Sequence, residues 1–418
     1  MTLRVAVIGA GIVGAISALE AVRDGHHVII IDPDSPGGEQ AASYGNAAWI
    51  SEGTVLPVST PGLWRKIPGY LLDPEGPFSI RWSYLPKVLP WLIRFVRAGS
   101  TVSKVQATAR ARRTLVATAI SRYRALADEA GLSHLLHHRG LLYVYPSRTD
   151  FEAEALEWRL RRELGLTWDE LDGPALRRFE PGLGPAYGFG ALLKDGANLS
   201  DPGAFVAGIV KHAVSLGATL LRARATDFRV EGERLVAVTT DDGEVSCNRA
   251  LICAGIHSKE LAHKAGDAVP IESERGYHVV VADPEYVPQH PVMPSDGKMG
   301  LTMTDSGLRV AGQVELGGIK AAPDWRRAEI LLDHLARVFP SIERDPARIK
   351  RWMGHRPSTP DGLPCIGPST ACADILHGFG HGHSGICMAP VSARLLVDLA
   401  GGKSPAIDPK PFSVRRFR

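Results

Sequence analysis

The sequence predicts an α/β protein of two interleaved domains, one built from strand–turn–helix pieces and the other from meandering strands. Three observations carry this expectation. The glycine-spaced segment Gly9-Ala10-Gly11-Ile12-Val13-Gly14 stands between an apolar run, Val5 to Ile8, and a helix-like stretch. The next apolar run, Val28 to Ile31, ends on an acid, Asp32. Further strand–helix pieces come from the middle and the end of the chain, with the meandering strands between them.

The first strand–helix–strand unit occupies about Leu3 to Asp32. In such a unit the first glycine permits a tight turn, the second lets a pyrophosphate approach the backbone, and the third lets helix and strand pack closely. Unpaired N–H groups at the helix start then face phosphates, and an acid at the strand end accepts hydrogen bonds from an adenosine ribose. Gly9, Gly11, Ile12, Val13, Gly14 and Asp32 are therefore candidate contacts of a dinucleotide, either a nicotinamide one or FAD. The loop from Pro33 to Ser51 is small and polar, contains Ala42-Ser43-Tyr44-Gly45-Asn46-Ala47-Ala48, and can run close against a ligand.

From Trp82 to about Ala130 the pattern is helical. Leu85, Val88, Leu89, Leu92, Phe95 and Val96 space one apolar face, and a second long helix is expected from Gln106 to Glu129. Strand-like pieces follow at Gly140–Tyr145 and Gly188–Leu193, around a charged helical segment from Glu152 to Glu163. Asp201-Pro202 opens a helix that stops at Gly217, and strands are expected near Thr219–Arg222, Thr226–Val230, Arg234–Thr239 and Arg249–Cys253. Ile271–Val281, Gly300–Met303 and Leu308–Ala311 read as strands, and Trp325–Val338 as a helix. Strand Ile375–Leu376, a glycine–histidine loop and a helix from Ser384 to Leu399 close the pattern.

The chain has 418 residues, roughly two to three domains' worth of material. Its 44% hydrophobic and 22% charged content suits a globular protein with a substantial core. A net charge of +3, with basic residues scattered in pairs such as Arg112-Arg113, leaves no footprint for nucleic acid. The five cysteines, an odd number without CxxC or zinc spacing, read as reduced thiols in a cytoplasmic protein. Val5 to Leu19 is too short and too interrupted by glycine for a membrane or signal segment. No Gly-x-Ser-x-Gly, HExxH or Walker pattern supports a hydrolase or kinase. His381 and His383 find no third ligand at a sensible spacing, so no metal is expected.

Gly380-His381-Gly382-His383-Ser384-Gly385 is formally a second GxGxxG between a strand and a helix. No acidic strand end follows it. The preferred reading is a helix start whose positive end meets negative charge on the same cofactor, such as the anionic pyrimidine end of a reduced flavin. The N-terminal GxGxxG, the Ala42-Ser43-x-x-Asn46-Ala47 loop, Cys253-Ala254-Gly255, the stretch from Gly354 through Arg356-Pro357 to Pro364, and the Gly-His-Gly-His loop occur in that order. In these motifs, over essentially its whole length, the chain resembles the D-amino-acid oxidase and dehydrogenase (DAO) superfamily of FAD-dependent amine oxidoreductases. It is most similar to the bacterial D-amino-acid dehydrogenase small-subunit branch. Leu72-Asp73-Pro74-x-Gly76-Pro77, Glu274-Arg275-Gly276-Tyr277-His278 and Trp352-Met353-Gly354 resemble glyphosate-oxidoreductase-like members.

The resemblance implies a Rossmann-type FAD-binding domain interleaved with an α+β substrate domain that holds a mixed, largely antiparallel sheet. The FAD domain is expected at 1–82, 199–268 and 356–418, and the substrate domain at 83–198 and 269–355. Ser43, Asn46 and Ala47 fall in the flavin-contacting loop, Thr226 on the strand passing the adenine, and Ala254 and Gly255 near the dinucleotide. Gly380, His381, Gly382, His383 and Gly385 meet the flavin. Gly354 stands where some relatives carry a cysteine bonded to FAD, so noncovalent FAD is expected.

Oxidising a C–N bond beside a carboxylate needs a fixed cation to orient the substrate, and the bidentate fork of arginine suits this. Arg356 stands at the position of the family's carboxylate-binding arginine; Arg275 is a lesser candidate that could instead pair with Glu272 or Glu274. Strand alternation sends Tyr277 and His278 to opposite faces, and Tyr277 is the one expected at the substrate. His383 could hydrogen-bond the substrate or accept the amine proton. The expected reaction is hydride transfer from a D-amino acid or carboxylate-bearing secondary amine to the flavin, followed by imine hydrolysis. A flavin subunit inactive alone and an NAD(P)H-using hydroxylase are the alternatives. The electron acceptor is O2 or a quinone or other carrier, and a peripheral contact with the inner membrane through 82–97 stays open.

Overall fold

The computed structural model describes residues 2–65, 69, 73 and 75–418; Leu72 and Pro74 of the motif quoted above lie outside them. Five parallel strands run in the order Thr219–Leu221, His27–Ile31, Arg4–Ile8, Arg249–Ile252 and Ile375–Phe379. Cys365–Pro368 closes the edge antiparallel. Their apolar runs follow from burial on both faces. Helices Ile12–Arg23, Pro202–Ser215 and Gly385–Ala400 pack on one side. On the other lies a small sheet of Ala225–Glu231, Arg234–Thr240 and Gly243–Ser246.

The second sheet is mixed and largely antiparallel. Its path is Ile349–Ser358, Glu272–Val281, Gly307–Leu316, Gly300–Thr304, Val292–Pro294, Leu141–Tyr145, Phe189–Leu193 and Asp169–Asp172. Among the described residues, only the pairings of Val292–Pro294 with Leu142–Val144 and of Phe78–Ile80 with Val314–Leu316 are parallel in this sheet. Phe78–Ile80 and Arg356–Ser358 thus belong to this sheet, on the other side of the expected boundaries at 82 and 355. Strand pairing decides it, since Ser358 sits opposite Glu272 at the end of a continuous ladder. Helix Arg326–Val338 covers one face, packing Leu331, Leu335 and Val338 near Tyr277, Val279 and Val310. The other face looks toward the first domain.

The long helix expected from Gln106 to Glu129 is two, Val102–Val116 and Ala119–Ala130. The break lets both reach the last helix: the Tyr123 hydroxyl donates to Ile386 O at 2.8 Å and Arg112 donates to Ser384 Oγ at 2.7 Å. Helix Leu85–Ala98 buries Val88 and Trp91 against Leu316. Leu89, counted in its apolar stripe, is instead exposed, as are Ile93 and Trp82. No described helix is long and apolar enough to cross a membrane.

Candidate functional site

The opening turn is shaped by what its glycines lack. Gly9 has φ +101°, and a side chain there would meet Cys253 O at 2.6 Å. A Cβ on Gly14 would lie 1.9 Å from Gly9 O. Gly11, which starts the helix, has only Ser43 Oγ at 3.5 Å, so space remains above the helix end. Ser43 accepts from Ile12 N at 3.1 Å, tying the 42–48 loop to that end. Asp32 accepts from Ala10 N at 2.6 Å and from Asp34 N at 2.9 Å, which fixes its carboxylate beside the turn with lone pairs to spare. An open cradle, backbone donors and a fixed acid fit a dinucleotide.

Ala254 reaches this turn through the Gly9 contact, and Gly255 faces open space beside it. Thr226 does not. It is on the small sheet, exposed, with its hydroxyl on Thr239 O at 3.3 Å. Leu221 O accepts from Asp32 N, and Arg222 donates to Ser35 Oγ, so those residues border the acid instead. The sheet bulge between Ala225 and Asp227 turns Thr226 out of the ladder.

The 42–48 loop rests on the open face of the mixed sheet. Arg309, itself buried, donates to Tyr44 O at 2.7 Å and Asn46 O at 3.0 Å. The His278 ring stacks on Trp352 at 4.9 Å and bonds Gly45 O through Nδ1 at 3.2 Å. Asn46 Nδ2 donates to His383 O at 3.3 Å, joining the loop to the last helix's start. Ala48 holds φ +66° at the loop's end, a left-handed conformation that its small side chain tolerates better than a larger one.

Arg356 lies on this same face. Its guanidinium sits flat over Gly276, where a Cβ would come within 2.3 Å of Cζ. Nη1 donates to Gln313 O at 2.7 Å and Nη2 to Gly312 O at 3.1 Å. Those carbonyls are turned toward it by a register shift in the ladder, at which Gln313 takes φ +56°. A buried residue other than glycine in that conformation is strained backbone of the kind held at functional sites. Two of the five N–H groups are thereby used, and the fork keeps donors for a carboxylate.

Tyr277 is a correction. Its hydroxyl donates to Glu315 Oε2 and accepts from Asp324 N, and its ring is in the core beneath helix Arg326–Val338. Alternation held, but the helix-covered face took Tyr277 and the open face took His278. Arg275 is on the covered face too, paired with Glu315 at 3.2 Å rather than with Glu272 or Glu274.

The Gly380–Gly385 loop enters helix Gly385–Ala400 with positive φ at Gly380 and Gly382. Ser384 Oγ does not cap that helix; it accepts from Arg112, leaving the first N–H groups without a side-chain cap. Arg112 is a buried cation that donates to Gly362 O at 2.9 Å, Thr54 O at 3.3 Å and Ser384 Oγ, and its Nε finds no acceptor. Burial pushes its guanidinium down to about 10. Such a charge, with only neutral acceptors, favours an anion nearby. His383 is an exposed residue that opens onto the cleft. Desolvation, then Arg112 and Arg356, push its imidazole down to about 3. His381 turns its ring into the last helix, 3.0 Å from Ser392 Oγ, so only its main chain is left for a cofactor. One cleft is lined by Arg112, Glu274, Ser358, Gly380, Gly382 and His383.

Sequence reasoning missed Arg112, Glu274, Arg309 and Gln313. The helical spacing of Val105, Ala109, Arg112 and Val116 was a readable sign that Arg112 shares the face that the structure buries. Gln313 left none. All five cysteines are buried, with the Cys253 and Cys247 thiols pushed up to about 12 and Cys365 to about 11 by burial. Gly354 makes room for Trp352, whose ring a Cβ would approach within 2.0 Å.

The family model described as FAD dependent oxidoreductase (DAO) matches residues 4–399. The D-amino-acid oxidase of Bradyrhizobium diazoefficiens is 51% identical over 415 residues, covering 99% of this chain and 98% of the relative. The D-amino acid dehydrogenase of Rhizobium johnstonii is 30% identical over 425 residues, covering 99% and 100%. Among solved structures, glycine oxidase from Geobacillus kaustophilus superposes with a TM-score of 0.72 at 21% identity, covering 99% of each chain. Iminodiacetate oxidase from Chelativorans sp. BNC1 gives 0.73 at 20% identity, covering 98% of each. With the glycine cradle and the uncapped last helix in place, this chain belongs to the DAO family of FAD-dependent oxidoreductases.

Proposed function

We propose that this enzyme oxidises the C–N bond of an α-amino acid of D configuration, or of a secondary amine bearing a carboxylate, using noncovalently bound FAD. The observation that carries this is Arg356, held flat by the Gln313 bulge with spare donors beside the cleft that His383 lines. The full-length similarity to a D-amino-acid oxidase supports the substrate class. Gly9, Gly11, Gly14 and Asp32 would hold the dinucleotide, Ser43, Asn46 and Ala47 its flavin end, and no cysteine thiolate is available to tether it.

When bound, FAD supplies the acceptor for the hydride of the substrate's Cα–H bond. Arg356 grips the carboxylate and so fixes which bond faces the cofactor. Arg112 and the uncapped helix end would offer positive charge to stabilise the anionic form of the reduced cofactor. His383, neutral through the physiological range, is an acceptor or donor of hydrogen bonds and not a second cation competing for the carboxylate. The imine product leaves to hydrolyse in water.

An anaerobic panel of D-amino acids, L-amino acids, sarcosine and dicarboxylate secondary amines tests this through loss of the oxidised flavin's absorbance. Bleaching by a carboxylate-bearing amine is expected; bleaching by NADH alone would overturn it. Reoxidation by air against reoxidation by a quinone assigns the electron acceptor. The exposed Trp82, Leu89 and Ile93 support a peripheral membrane contact through 82–97. Changing all three to serine should release the protein from anionic vesicles, and unchanged partition would contradict that contact.

A further inference from the structure

Glu274 is a buried carboxyl group that the reading above leaves unused. It is 6% exposed, lines the same cleft as His383, and is the direct cross-strand partner of Arg356. Side chains at such paired positions leave the same face of a sheet with Cβ atoms about 5 Å apart. Arg356 nevertheless turns away across Gly276 to the carbonyls of Gly312 and Gln313. Its bonds go to those carbonyls, and Glu274 is left beside the cleft with the Ser358 side chain. Its neighbour on the same face, Glu272, is already engaged by the Tyr84 hydroxyl at 3.0 Å and by Ser273 N at 2.9 Å.

A charged carboxylate that is nine-tenths buried is costly without a cation. Burial raises the Glu274 carboxyl, and the neighbouring Glu272 raises it further, while Ser358 and Arg356 oppose the shift. Glu274 in the cleft lining and Arg356, its cross-strand partner beside the cleft, thus stand as a carboxyl group and a guanidinium with unspent donors, side by side but not paired to each other. An α-amino acid carries the complementary pair of charges one carbon apart.

We infer that Glu274 binds the amine of the substrate while Arg356 binds its carboxylate, so that the two strands together recognise a zwitterion. This rests on the reading of Arg356 given above. It narrows the substrate class to compounds whose amine sits on the carbon next to the carboxylate. A second acidic group near the amine would face Glu274 and be repelled.

Two unreactive probes separate the amine from the carboxylate. 2-Aminoisobutyrate has both groups but no Cα–H bond, and 2,2-dimethylpropionate replaces its amine by a methyl group. Both are titrated into the FAD-loaded enzyme by perturbation of the flavin spectrum. The wild type should bind 2-aminoisobutyrate tighter by roughly tenfold or more, the scale of a hydrogen bond to a charged group. Glu274→Gln should abolish that preference and leave 2,2-dimethylpropionate unchanged; Glu274→Asp should keep part of it. The inference is overturned if Glu274→Gln retains the preference, if it weakens both probes equally, or if the wild type has none, a result that needs no folded variant. Were neither probe to bind the wild type, the Arg356 reading would fail and this inference with it.

Discussion

At the opening turn the missing side chains of Gly9 and Gly14 let backbone approach backbone, whereas on the mixed sheet those of Gly276 and Gly354 let Arg356 and Trp352 lie flat. The first arrangement is local, spanning a few residues whose main-chain atoms would collide with any Cβ. The second joins strands far apart in sequence and places side chains that still have some freedom to move. Binding of the dinucleotide should therefore fail outright when its glycines change. Recognition of the substrate should weaken by degrees.

The sharpest contrast is predicted for Gly14→Val. With Gly9 O only 1.9 Å from the added atom, the protein should purify without flavin colour. Full flavin content per chain would break the comparison at its stronger end. Arg356→Gln should keep its flavin yet bind 2,2-dimethylpropionate about tenfold to a hundredfold more weakly, since a hydrogen bond to a charged group contributes about 1.5–3 kcal/mol. Gly276→Ala should do the same to a lesser extent, because the methyl group displaces the guanidinium without removing it. An affinity equal to wild type in that variant would mean that Arg356 does not depend on its seat.

Smaller effects come from the last helix. Arg112→Met should lower the two-electron midpoint potential of the bound flavin by roughly 30 mV, the equivalent of about 1.4 kcal/mol, through loss of one buried positive charge. A potential unmoved by the change would leave Arg112 as a structural tie between helices. The least effect is on acid stability. Burial pushes His278 and His381 each down to about 3, so the folded chain refuses protons that the unfolded chain accepts below its value near 6.5. Their contribution is therefore fully present above about pH 6.5 and is lost as pH falls toward 3. Thermal melts of the wild type should show decreasing midpoints across that window, and His381→Gln should flatten the decline.

The same contrast explains what could be read from the residues. The glycine turn, Asp32 and the strand–helix order were legible because each depends on neighbours in the chain. Alternation placed Tyr277 and His278 on opposite faces, but which face is covered is decided by helix Arg326–Val338, about fifty residues away. The register shift at Gln313 lies beside two isolated strand glycines, Gly312 and Gly276, which hint at a bulge, but how it seats Arg356 depends on the pairing of strands far apart in sequence. The bulge beside Thr226 was illegible for a similar reason, since it is a property of two strands and not of one. Arg112 looked like one member of a solvated basic pair; only the spacing of its buried neighbours said otherwise.

The central claim, a carboxylate-bearing amine fixed by Arg356 beside noncovalent FAD, is tested most directly by a crystal structure of the FAD-loaded enzyme with 2-aminoisobutyrate. The account predicts the ligand's carboxylate at charge-assisted hydrogen-bond distance, about 2.7–2.9 Å, from Arg356 nitrogen atoms that also hold the Gly312 and Gln313 carbonyls. A ligand seated elsewhere, with Arg356 touching only those carbonyls, would contradict it.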